Sequence, residues 1–175
     1  EHKVLVHRIW RDGSAFHAET VQEIILPSPL ESGVWYPNIV LDNQARKMYV
    51  TGYCNSSWNR CSGDNAVVLL SFDLPSPSSS SRVILSAVDI RSRVVMEFRV
   101  ATQGACIRYG RIYQVFGVPS YGATSLCCHD LATGRLIWSR DLASYGISEE
   151  PEGLDFYGDD LMVLDVAGNI FLESK

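Results

Sequence analysis

The chain has 175 residues, of which 46% are hydrophobic and 20% charged, and it carries a net charge of -5. That composition belongs to an ordinary globular chain long enough to bury one core, and its acidic balance argues against a nucleic-acid surface, which needs a concentrated basic face. No apolar run reaches the ~18 residues of a membrane-spanning helix.

The chain opens at Glu1-His-Lys-Val without a Met or a secretory leader, which reads as a mature or truncated product. Lys3 to Trp10 is a β-rich run, and Arg11-Asp-Gly-Ser14 carries the Asp-Gly signal of a hairpin. A second strand over Ala18 to Leu26 sets Thr20, Gln22 and Ile24 against Val21, Glu23 and Ile25 on the other side. After a Pro-rich connector, Val34 to Asp42, Lys47 to Tyr53 and Ala66 to Leu74 give three more strands. Asp42-Asn-Gln-Ala45 is their first turn, and the polar loop Cys54-Asn-Ser-Ser-Trp-Asn-Arg-Cys61 is the second. Pro75-Ser-Pro-Ser-Ser-Ser-Ser81 is low-complexity and reads as a solvent-exposed excursion. Ser86-Ala-Val-Asp89 has the outline of a capping box over one helical turn, with Asp where Glu is usual, and Arg93 to Val100 is a fourth strand.

The pattern then starts again. Gly104 to Arg108, Arg111 to Gly117, Thr124 to Asp130 and Arg135 to Arg140 are strands, joined by Tyr109-Gly110, the loop Val118 to Ala123 and Ala132-Thr-Gly134. A third round begins with strands at Leu154 to Tyr157, Leu161 to Asp165 and Asn169 to Leu172, separated by Tyr157-Gly-Asp-Asp160 and Ala167-Gly-Asn169.

Cys54 and Cys61 are close enough to bridge across the neck of their loop, which would place the protein in an oxidising compartment, and Asn55-Ser-Ser57 in that loop is a glycosylation sequon. The adjacent Cys127 and Cys128 point to opposite faces of a strand, so they and Cys106 read as buried small apolar residues. The four His residues and the cysteines show no zinc spacing.

The recurring unit is four strands repeated at an irregular period of roughly 50 to 65 residues, the signature of radially repeated four-stranded sheets. Tyr113-Gln-Val-Phe116, His129-Asp-Leu-Ala-Thr-Gly-Arg-Leu-Ile-Trp138 and Glu150-Pro-Glu-Gly-Leu-Asp155 carry a resemblance to β-propellers. The middle segment looks like the turn between the outer two strands of many blades. The last resembles the opening of an innermost strand in secreted bacterial propellers of the broad six-bladed group that includes calcium-dependent lactonases and NHL-repeat proteins. The expected fold is therefore all-β, a propeller of four-stranded antiparallel blades, with a β-sandwich as the alternative. On this reading 1–26 are outer strands of one blade, 34–100 and 101–142 are two blades, and 149–175 are inner strands of a further one. The ring does not close, so the rest of the propeller or a second chain would complete it. The resemblance also implies a secreted, periplasmic or cell-surface location.

Innermost propeller strands open on one face, so Trp35-Tyr-Pro-Asn38, Thr102-Gln-Gly104 and Glu150-Pro-Glu-Gly153 should converge there. The expected ligand-binding set is Trp35, Tyr36, Asn38, Gln103, Glu150 and Glu152, joined by Trp58 and Arg60 of the cysteine loop and by Tyr121. Aromatic rings beside amides and carboxylates suit a carbohydrate or another polar organic ligand, or a protein. Glu150 and Glu152 have two readings: they hydrogen-bond backbone amides of a tight connection, or they hold a divalent cation such as calcium. The lactonase resemblance implies the second, with the metal polarising a carbonyl and a carboxylate activating water in a hydrolase or lyase. Apart from Asn38, the other openings lack a matching Asn/Asp set. Trp10 and Trp138 are expected between blades, Asp159-Asp160 in a turn, and His129 in mid-strand, away from any nucleophile motif.

Overall fold

The computed structural model describes residues 2–26, 30, 34–54, 66–77, 80–97, 99 and 102–173. The described residues form an all-β chain without an α-helix, in four sheets, none of which closes on itself. The first sheet joins β1 (His2–Asp12) and β2 (Ala15–Leu26), and β3 (Val34–Asp42), β4 (Lys47–Cys54) and β5 (Ala66–Asp73) begin the second. The strand β6 (Arg82–Ile84) returns to the first sheet, and β7 (Ser92–Glu97) completes the second in the order β3-β4-β5-β7. The third sheet runs β8 (Thr102–Arg108), β9 (Arg111–Phe116), β10 (Ser125–Asp130) and β11 (Leu136–Asp141) as an antiparallel meander. The fourth has three antiparallel strands, β12 (Pro151–Tyr157), β13 (Asp160–Asp165) and β14 (Ile170–Glu173). Apart from β6, these strands lie within a few residues of those expected from alternation and turn chemistry.

Side-chain alternation explains how the sheets stack. Strands β4 and β5 read as nearly continuous apolar runs because both of their faces are covered. Met48, Val50, Val68 and Leu70 pack with Ile24 and Leu26 of the first sheet. Their neighbours Tyr49, Val67 and Leu69 pack the other way, against Ile112, Phe116 and Cys127 of the third sheet. The third sheet repeats the device, sending Val115 and Leu126 toward Leu154, Leu161 and Val163 of the fourth. Four sheets thus lie face to face in chain order, with three cores between them. Each fully buried aliphatic side chain contributes about 1.5–3 kcal/mol to this stacking.

One expectation is corrected and another is extended. The described residues of the 75–81 stretch are mostly exposed, as expected, but the stretch is also anchored: the buried Gln22 amide donates to the backbone carbonyls of Ser76 at 2.9 Å and Ser80 at 2.8 Å. Backbone bonds from Glu23 N to Ser81 O (2.8 Å) and from Leu85 N to Ile25 O (2.9 Å) then lay β6 parallel to β2. Trp10 is not core. It lies on the outer half of the β1–β2 hairpin, 43% exposed, and stacks on His17 with ring centroids 5.4 Å apart. Trp138 is half-buried against the third core, as expected.

Smaller features agree with the sequence. Ser86 donates through its backbone N–H and its hydroxyl to Asp89 Oδ2, both at 2.8 Å, capping the short turn Ala87–Asp89. Cys106, Cys127 and Cys128 are buried free thiols, and burial pushes the Cys106 thiol up to about 12. Asp159 lies beside the β12–β13 turn and pairs with Arg108 at 2.7 Å.

Candidate functional site

The inner strands share one irregularity. The pairing register slips between Trp35 and Asn38 in β3, between Thr102 and Ala105 in β8, and between Pro151 and Gly153 in β12. Each bulge falls on the strand opening expected to form the site. A bulge inserts an unpaired residue, bends its strand and re-aims side chains, which is why bulges recur beside binding sites.

The three bulged openings are joined to one another. β3 and β12 both pack against β8. The Asn38 amide donates from Nδ2 to Thr102 O at 2.9 Å, tying β3 to β8. Gln103 Nε2 donates to Glu150 Oε1, tying β8 to β12. Beside that bond, a Cβ placed on Gly104 would lie 3.0 Å from Gly153 Cα, so the two strands meet backbone to backbone. Glycine at 104 permits this approach, while a Cβ on Gly153 would instead meet the Leu164 side chain at 3.2 Å. Asn38 thus contacts the β8 backbone beside Gln103, and Gln103 contacts Glu150.

Glu150 is engaged by its neighbours in two ways. Its half-buried carboxylate accepts from a side-chain amide rather than a backbone one, while its own carbonyl accepts from Val166 N at 2.8 Å. Glu152 is exposed on the β12 bulge. Among the described residues no group of three His, Cys, Asp or Glu side chains could hold a metal ion. Trp58, Arg60 and Cys61 lie outside the described residues, and so does the Cys54–Cys61 bridge; Cys54 itself ends β4 in a buried position. Trp35 and Tyr36 are placed in β3, and Tyr121 in the short turn Pro119–Tyr121, by their backbones alone.

Sequence reasoning missed Arg99. It lies just before β8 and lines a cleft of about 230 Å³ together with Phe116, Gly117, Gly122 and Ser125. Phe116 is the register partner of both Thr102 and Ser125, so the cleft adjoins the bulged opening of β8. The loop closes over this cleft because Gly117 adopts a φ of +103°, where a Cβ would meet Ala123 O at 2.8 Å. No motif marked Arg99 in the sequence, where it falls inside the strand expected over Arg93 to Val100; the strand observed there ends at Glu97.

His129 of β10 and Gln114 of β9 are fully buried, and among the described residues neither the ring nitrogens nor the amide atoms have a hydrogen-bond partner. Burial, reinforced by the Arg99 charge and opposed by Glu97, holds the His129 imidazole down to about 4. It is neutral at pH 7 and sealed from solvent, which removes it from any acid-base role toward a surface ligand.

No family model and no curated protein matches the chain. Among solved structures it is similar to the computationally designed Ika4 protein, at 12% identity and a TM-score of 0.41, over 86% of this chain and 95% of that one. It is also similar to the computationally designed Ika8 protein, at 13% identity and a TM-score of 0.40, over 90% of this chain and 51% of that one.

Proposed function

We propose that the chain is a set of β-propeller blades from a secreted binding protein, and that its loop face takes a polar organic ligand, a carbohydrate by its chemistry. One observation carries this reading: the same bulge recurs at the openings of β3, β8 and β12, and side-chain hydrogen bonds join those openings. One-residue slips also occur between Val6 and His7 and between Cys128 and His129. The three at the inner openings are set apart by lying on strands that pack side by side, where a bulge re-aims side chains. Stacking of the sheets in chain order supports the propeller reading over a two-layer sandwich. The sequence sets Trp35, Tyr36, Asn38, Gln103 and Tyr121 at these openings and the neighbouring loop, residue types whose rings and amides suit a sugar. The outer faces of the first and last sheets expose Leu5 and Ile84, and Leu164, Ile170 and Leu172; further blades or a second chain cover these in the same reading.

A glycan array probed with the purified chain tests the proposal, using Ala123→Trp as a blocking variant. Ala123 is exposed at the cleft rim, so a large side chain there fills the cleft without disturbing a core. The expected result is a defined set of bound glycans that the variant loses. Binding that survives the variant unchanged contradicts the assignment of this face.

A further inference from the structure

We propose that Arg99 makes the cleft beside the β8 opening a subsite for the carboxylate of an acidic sugar, a uronate unit being the class that fits. This deepens the loop-face reading and rests on it. At about 230 Å³ the cleft is smaller than the ~300–1,000 Å³ of sites that enclose a drug-sized ligand, so it takes one terminal group of a longer molecule.

The guanidinium is prepared for an acceptor. Arg99 is three-quarters buried at its side chain, and among the described residues its Nε has no hydrogen-bond partner. Its ion pair among those residues, from Nη2 to Glu97 Oε2, is long at 3.5 Å and runs to a carboxylate that is 59% exposed. A planar guanidinium fork matches a carboxylate in two parallel hydrogen bonds, which a hydroxyl cannot satisfy.

Arg108 shows the contrast. It lines a second cleft, of about 310 Å³, between the turns at Asp42–Ala45 and Arg108–Gly110, at the other ends of β3 and β8. There the guanidinium is already committed, donating to Asp159 Oδ1 at 2.7 Å and to Gly158 O, and lying over the rings of Tyr109 and Phe156. The cleft at Arg99 adds Ser125, half-buried on its wall, as a hydroxyl partner for the rest of a sugar, and Phe116 as its floor.

Titration calorimetry with sodium galacturonate, galactose and inorganic phosphate tests the subsite. Wild-type protein should bind galacturonate about tenfold or more tightly than galactose, the usual worth of a charge-assisted bond. Arg99→Gln should bring galacturonate down to the galactose level, and Arg99→Lys, which keeps the charge and loses the fork, should fall between. Ala123→Glu leaves Arg99 in place and offers it a competing carboxylate; it should abolish the acid preference even if Arg99→Gln fails to fold. Equal affinity for the two sugars in wild type, or a preference that Arg99→Gln leaves intact, overturns the subsite while the loop-face reading stands as long as Ala123→Trp still blocks. Phosphate binding as tight as galacturonate overturns the carboxylate assignment in favour of a general anion hole. No binding of any probe to wild type overturns both.

Discussion

Two residues show how the interior constrains single positions. His129 is fully buried with its pKa held at about 4, below the ordinary 6.5, so the unfolded chain binds a proton more readily than the folded one. Its contribution is therefore complete above about pH 6.5 and is lost as pH falls toward 4, a loss of roughly 3 kcal/mol at full separation. Urea denaturation at pH 4.5 and 7 should show this fall in the wild type and a flatter profile in His129→Leu; identical profiles would remove His129 from the account. Gly104 is constrained sterically instead. A methyl group there meets the Gly153 backbone at 3.0 Å, neither of whose atoms is the movable end of a side chain. Gly104→Ala should cost about 1–3 kcal/mol, measured as a shift in the urea midpoint.

At the scale of elements, most of the strand plan was legible in the sequence, and the exceptions have physical causes. Alternation and turn chemistry located β2 and β13, and near-continuous apolar runs, which burial on both faces demands, located β4, β5, β9 and β10. The short β6 was not legible. Its three residues, Arg82 to Ile84, carry no pattern, and it is held by the distant Gln22 and by backbone bonds. Trp10 was misplaced since an aromatic residue in a strand looks the same whether a sheet covers it or not. The openings of the site were legible through their aligned positions, whereas Arg99 was invisible because its role depends on the loop that folds over it. Two predictions belong here. Gln22→Leu should release the 75–81 segment, so limited proteolysis within that stretch should accelerate several-fold; unchanged cleavage would mean that Gln22 does not hold it. Alkylation of the unfolded, unreduced protein should modify three of its five cysteines, Cys106, Cys127 and Cys128, if Cys54 and Cys61 are paired as proposed. Modification of all five would contradict that bridge.

Across the whole molecule, four sheets stacked by alternating side chains set three inner strand openings side by side on one face. The ties between them, Asn38 to Thr102 and Gln103 to Glu150, lie near Arg99 and its cleft in the chain order of β8. The opposite ends carry tight turns in which the charged groups satisfy one another, as Arg108 and Asp159 do. This asymmetry is the physical basis for assigning binding to one face. The most direct test is backbone amide NMR of the isotope-labelled protein titrated with galacturonate. Saturable shifts confined to Asn38, Arg99, 102–104, 117–125 and 150–153 are the predicted result. Shifts centred instead on the turns at 42–45 and 108–110, or on the hairpin at 7–20, would contradict it.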